Sequence, residues 1–116
     1  MEEFERLALL LDFYGPLLTE RQKITFEDHV CNDLSITEIA QSQNISRQAA
    51  YDMIKRSTKI LEDYEEKLHL VERFEKIIKQ VEAIDDVVSV SLKENKVDEA
   101  LLGKVRALTT DILEEL

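Results

Sequence analysis

Apolar residues recur along this chain at steps of three and four, the spacing of helices that bury one face. Phe4, Leu7, Ala8, Leu10, Leu11 and Tyr14 make a wide stripe on a first helix from about Glu2 to Tyr14, and Gly15-Pro16 ends it. Thr19 and Gln22 form a capping-box pair ahead of Ile24, Phe26 and Val30, and the polar run Cys31 to Asp33 stops that second helix. Ser35 and Glu38 repeat the device before Ile36, Ile39 and Ala40. Asn44 stands where a turn needs a residue that tolerates a left-handed backbone. Ile45 can bury beneath that turn, and Ser46 can cap the next helix.

That next helix has an inner face of Ala50, Met53, Ile54, Ser57 and Leu61. Placing residues 100° apart puts Gln48, Tyr51, Asp52, Lys55 and Lys59 on the opposite side, with Arg47 at the leading tip. Ala40 is small enough for two short helices to cross closely. The cap, small residue, turn residue, buried Ile and second cap together predict a helix-turn-helix. With the upstream helix it makes a three-helix unit over 19–61.

From Leu61 a further stripe runs through Tyr64, Leu68, Val71, Phe74, Ile78, Val81, Ile84 and Val88, averaging about 3.4 residues per step. A straight helix cannot keep such a stripe on one face, so a bend or break is expected near Glu66 to Leu70. The VVSVSL run at 87–92 could pass for a strand, but it lacks a pairing candidate and is read as the end of a helix. Lys93 to Lys96 is the expected turn. Asp98 can cap a last helix bearing Leu101, Leu102, Val105, Leu108, Ile112, Leu113 and Leu116. The parts are therefore an N-terminal helix at 1–18, a helix-turn-helix domain at 19–61, and a helical extension at 62–116 that serves dimerisation. The apolar positions on the flanks exceed what three helices can cover, which predicts a homodimer.

Composition narrows the picture. Gly and Pro total three in 116 residues, and 34% of residues are charged, which favours helices over sheets. No apolar run approaches the roughly 18 residues of a membrane span. The acidic start MEEFER lacks the basic segment of a signal peptide, and one cysteine suits a reducing cytoplasm. The expectation is a soluble, cytoplasmic, all-α protein without membrane insertion.

Charge is unevenly spread. The chain carries −10, of which −3 lies in residues 1–18, zero in 19–59 and −7 in 60–116. Within 44–59 Arg47, Lys55, Arg56 and Lys59 outweigh Asp52, so the one locally basic helix is the presumed recognition helix. Its nucleic-acid-binding candidates are Arg47, Gln48, Tyr51, Lys55, Arg56 and Lys59. Gln48 can pair with base edges, Tyr51 can stack, and the four cations can neutralise phosphates. Four cations on an acidic monomer bind weakly, so specific binding needs a dimer, an RNA–protein surface or a basic protein partner.

Enzymatic chemistry finds little support. His29 and His69 each lack a second ligand at helical spacing, and read as surface histidines rather than metal ligands. Cys31 reads as a half-buried filler at a helix end, with no positioned base to make it a nucleophile. Neither glycine belongs to a phosphate-cradling loop. The run Glu62, Asp63, Glu65, Glu66 reads as a solvated face, or else as an acidic contact for a basic partner. No catalytic residue, metal or cofactor is expected.

The order LLTERQ, SITEIA, ISRQ resembles region 4 of sigma factors. A closer resemblance covers the chain to about Val71. LLDFYGPLLTERQ followed by SITEIAQSQNISRQAAYDMIKRSTKILEDYEEKL is similar to the YlxM family of small bacterial helix-turn-helix proteins. Phe13, Tyr14, Leu17 to Gln22, Ile39, Ala40, Ser46 to Ala49, Tyr51, Asp52, Ile54 to Arg56 and Tyr64 to Leu68 carry it, and Ala50 departs from it toward a smaller core plug. The family's members are encoded beside the signal recognition particle protein. The resemblance thus implies an accessory or regulatory role in that pathway, through the particle's protein, its RNA or both. A DNA-binding regulator is the alternative.

Overall fold

A computed structural model describes residues 3–116. Among them are six α-helices: α1 (Glu3–Tyr14), α2 (Glu20–Val30), α3 (Ile36–Gln43), α4 (Arg47–Leu68), α5 (Leu70–Glu94) and α6 (Glu99–Glu115). A 3-10 turn, Gly15–Leu17, links α1 to α2. No strand occurs among the described residues, and VVSVSL lies inside α5, so the expected all-α class is observed. The expected first residue of α1, Glu2, lies outside the described residues. No described helix is long and apolar enough to cross a membrane. Two compact units are present, Met1–Val71 and Glu72–Leu116.

The first unit is organised by its helix ends. Thr19 and Ser35 each accept the backbone N–H three residues on, and Gln22 and Glu38 reach back to complete both capping boxes. The stripe on α1 turns inward: Leu7, Leu10, Leu11 and Tyr14 are buried with Leu18, Phe26, Leu61 and Val71 in one cluster. Helix one is thus internal packing, with Arg6 held to Glu62 of α4 at 2.7 Å. Gly15 fits beneath α1, where an added Cβ would lie 3.1 Å from the Leu11 side chain. A second cluster of Ile39, Ala40, Ala50 and Ile54 joins α3 to α4.

Three readings are corrected here. Cys31 is exposed, because the chain turns outward at the end of α2 and Asp33 takes a positive φ of 57°. Partial burial, with the Glu27 and Asp12 carboxylates nearby, raises its thiol above the usual cysteine range. The acidic run on α4 is not simply solvated either. Glu62 meets Arg6, Asp63 meets Lys59, and Glu65 is buried beneath Tyr14. His29 is half-buried rather than free at the surface, and its ring meets Phe4 edge-on with centroids 5.7 Å apart.

The expected break falls at His69, which adopts the left-handed conformation at φ 56° and closes α4 through its N–H to Glu65 O at 2.8 Å. Side chains from within the unit then meet the start of α5. Tyr14 donates its hydroxyl to Glu65 Oε1 at 2.5 Å and accepts the Leu70 N–H at 3.1 Å. Glu65 Oε1 also accepts the Val71 N–H at 3.0 Å. Burial and the Glu65 carboxylate raise the Tyr14 phenol above its usual range.

The second unit holds the rest of α5 and α6, joined by a turn at Asn95. Ser91 bonds the Lys96 carbonyl, and Asp98 caps α6 through the Leu101 N–H at 2.8 Å. Along α5, half-buried Ile77, Gln80, Ile84 and Val87 lead to buried Ser91 at alternating steps of three and four. Half-buried Leu101, Val105, Leu108 and Ile112 do the same on α6. A separate α5 stripe of Phe74, Ile78, Val81, Val88 and Leu92 stays exposed, as do Leu102, Leu113 and Leu116 of α6. No residue of α6 is buried.

Candidate nucleic-acid interface

The turn between α3 and α4 sets the geometry of the candidate surface. Asn44 adopts φ 55° and ψ 47°, as its place in the motif requires, and its N–H returns to Ala40 O and Gln41 O. The following Ile45 N–H reaches Ala40 O at 3.0 Å, which closes the end of α3. Ser46 then caps α4 by accepting the Ala49 N–H at 3.0 Å. Beneath this corner Ala40 and Ala50 are both buried, in a cluster with Ile39 and Ile54. Ala50 is fully covered.

With its inner face fixed, α4 displays the predicted residues outward. Arg47, Gln48, Tyr51, Asp52, Lys55, Arg56 and Lys59 are all exposed. Tyr51 leaves about half its surface open, at 51%. A shallow groove brings Arg47, Gln48 and Tyr51 together with Ile36 and Thr37 at the start of α3. Arg56 and Asp52 instead line a cleft with Thr19, Arg21 and Gln22 of the α2 end. Lys55 and Lys59 lie outside both depressions, further along the same face.

The side chains on this face are partly engaged. Gln48 donates its amide to Asp52 at 2.9 Å. Lys59 lies 3.4 Å from Asp63, one turn on, and so is partly neutralised. Arg47, Lys55 and Arg56 make no ion pair with any described residue. The face therefore offers three cations without an ion pair to a described residue, an aromatic ring, and a hydrogen-bonded Gln48–Asp52 pair.

Arg21 was not among the sequence candidates. It lies at the start of α2, distant in sequence from α4, and shares the cleft with Arg56. Its guanidinium also donates to Gln43 Oε1 at 3.3 Å, and Gln43 donates to Thr25 Oγ1 at 2.6 Å. That chain of bonds ties the end of α3 to α2. The capping pattern identified the helix carrying Arg21, but no local spacing connects Arg21 to Arg56.

Comparisons with known proteins give the family. The family model for UPF0122, the YlxM / p13-like helix-turn-helix proteins, matches residues 1–100. A UPF0122 protein of Fusobacterium nucleatum is 48% identical over 81 residues, spanning 70% of this chain and 79% of that protein. One from Acetivibrio thermocellus is 40% identical over 116 residues, spanning 98% of this chain and 99% of its own. Another, from Thermoanaerobacter sp. (strain X514), is 37% identical over 113 residues, spanning 97% and 96%. On the match of all but its last residues, and on the helix-turn-helix observed at α3 and α4, the chain belongs to the UPF0122 family of YlxM / p13-like helix-turn-helix proteins.

Proposed function

We propose that this protein is a cytoplasmic, non-enzymatic accessory or regulator of the signal recognition particle pathway. Its helix-turn-helix contacts the particle's RNA, its protein, or both. One observation carries the nucleic-acid side of this reading: in an acidic chain, the basic first half of the motif's second helix, Arg47 to Lys59, presents its cations outward. Arg47, Lys55 and Arg56 supply the phosphate contacts, with Lys59 in a lesser role because of Asp63. Tyr51 stacks, and Gln48 addresses bases. The link to the particle rests on the resemblance to the YlxM family. A pull-down from cytoplasm with and without nuclease tests it. Capture of the particle's protein or RNA supports the proposal, and nuclease treatment separates RNA-dependent from direct contacts. Recovery of neither overturns it.

A DNA-binding regulator is the second reading, favoured by the outward leading turns of α4 at the helix-turn-helix corner. Enrichment of specific DNA fragments, with no particle component, would select it. Either reading works best with a homodimer. Since α1 is spent on the internal core, the dimer surface falls to α5 and α6, where Val81, Leu92, Leu102 and Leu113 are exposed. Sedimentation at micromolar concentration checks this. A 13.5 kDa species at all loadings would mean a monomer.

A further inference from the structure

The cleft on the α2 side of α4 holds two arginines and one carboxylate, in a chain where acids outnumber bases by 25 to 15. Arg21 reaches it from the first turn of α2, and Arg56 from the middle of α4. Both are exposed, and neither makes an ion pair with a described residue. Asp52 stands one turn before Arg56, the spacing at which opposite charges on a helix ordinarily pair. No such pair forms, and Asp52 accepts the Gln48 amide at 2.9 Å instead. One carboxylate against two guanidinium groups leaves the cleft with a net positive charge. Like charges gathered in a concave site repel unless an anion joins them.

Arg21 is held in place by α3. Its Nε donates to Gln43 Oε1 at 3.3 Å, and Gln43 is itself tied to the buried Thr25 hydroxyl at 2.6 Å. That uses one of the five donors of a guanidinium. The two Nη groups make no hydrogen bond to a described residue, and together they form an edge that matches two oxygens of one phosphate. The Arg56 side chain makes no hydrogen bond to a described residue at all. Successive residues of α4 stand 100° apart, which puts Arg47, Gln48 and Tyr51 on the flank toward α3. Asp52, Met53 and Arg56 fall on the flank toward α2. Lys55 lies between the two flanks, so the cleft borders the outward face of α4 rather than interrupting it.

We infer that Arg21 and Arg56 together bind one phosphodiester group of the nucleic acid lying along α4. The inference rests on the nucleic-acid reading of that face and extends it to a second helix. Arg21 supplies a planar fork from a position fixed by Gln43, and Arg56 meets the same phosphate from the α4 wall of the cleft. A phosphate contact carries no sequence information. It sets the register in which Gln48 and Tyr51 meet the bases. Phosphodiester chemistry is common to DNA and RNA, so this clamp serves either.

Fluorescence anisotropy of the full chain with a mixed-sequence DNA duplex and with an RNA hairpin, each across a range of salt, tests the clamp. On a probe that binds, Arg21→Gln and Arg56→Gln should each weaken affinity roughly five- to tenfold at low salt. The loss should be the same whatever the probe's sequence. The double variant should flatten the plot of log affinity against log salt by about one counterion and no more, because one phosphate is released. Arg21→Lys keeps the charge without the fork and should recover only part of the loss. Arg21→Gln keeps a donor for Gln43, and thermal melts check that the first unit stays folded. Should it lose stability, Arg21→Met, which keeps the apolar stem, replaces it. Lys55→Ala separates this inference from the reading it rests on. If Lys55→Ala weakens binding while Arg21→Gln does not, or if the double variant loses two counterions, the shared phosphate is overturned and the face of α4 stands. If all three variants bind like the unaltered protein, or neither probe binds at low salt, the nucleic-acid reading falls with it.

Discussion

Gln43 donates its side-chain amide to the Thr25 hydroxyl at 2.6 Å, and Thr25 is completely buried. The bond joins the last residue of α3 to the middle of α2, and so fixes the motif's first helix before the turn at Asn44. Arg21 extends it by donating to the Gln43 carbonyl oxygen at 3.3 Å. Gln43→Ala leaves the Thr25 hydroxyl buried without that partner and should cost about 1–2 kcal/mol. Thr25→Val together with Gln43→Ala should cost less than the two single losses added, because neither polar group is then stranded. Denaturant unfolding of the four proteins measures the coupling.

The turn makes a sharper prediction. Asn44 holds φ 55° without steric help from a missing Cβ. Asn44→Gly should be neutral or slightly stabilising, and Asn44→Val should lose about 1–2 kcal/mol. Thermal melts distinguish them. Equal losses in both would show that the Asn side chain, rather than the backbone conformation, matters.

Ser57 is fully buried on the inner face of α4, and its hydroxyl makes no hydrogen bond to any described residue. A desolvated hydroxyl without a partner opposes folding. Ser57→Ala should therefore raise the unfolding free energy by up to about 1 kcal/mol, aided by alanine's helix preference. A loss of stability would indicate a partner for that hydroxyl, such as an ordered water.

Alkaline pH should expose the Tyr14 network. The folded phenol titrates above its ordinary value of 10.0, chiefly through burial and then through Glu65. The folded state therefore holds the proton more tightly than the unfolded state. This contribution is fully present below the unfolded pKa, and it is lost as pH rises from there through the folded pKa. Stability should be level near neutrality and fall above about pH 10. Tyr14→Phe should remove that fall. Cys31, also raised, slopes the same way at somewhat lower pH, so the comparison belongs in a Cys31→Ser background.

Salt dependence tests the basic face. Lys55 makes no ion pair with a described residue, whereas Lys59 already sits 3.4 Å from Asp63. For nucleic acid bound at this face, Lys55→Ala should flatten the plot of log affinity against log salt by about one counterion. Lys59→Ala should flatten it by less. Slopes unchanged in both variants would move the binding surface off α4.

Much of the first unit was legible because its determinants are local. Thr19–Gln22, Ser35–Glu38, Asn44 and Ser46 act within three or four residues of their partners, so their spacing states their role. The outward face of α4 followed from periodicity in the same way. The Gln48–Asp52 and Lys59–Asp63 pairs, at one-turn spacing, were equally available to inspection. What pattern could not provide are bonds that span the chain. Arg6–Glu62, Tyr14–Glu65 and Thr25–Gln43 connect elements whose adjacency exists only after folding. Arg21 joins the cleft with Arg56 for the same reason, and spacing alone does not separate buried Glu65 from its exposed acidic neighbours.

Val71, fully covered, is the last residue of the core that begins at Leu7. The unit's closure therefore depends on a residue that a ribosome delivers late. Until the segment through Val71 has emerged, the apolar face of α1 has no complete surface to pack against, and during synthesis it is open to chaperones or to neighbouring chains. Nascent chains arrested short of Val71 should be cut readily by protease, and those arrested well beyond it should resist.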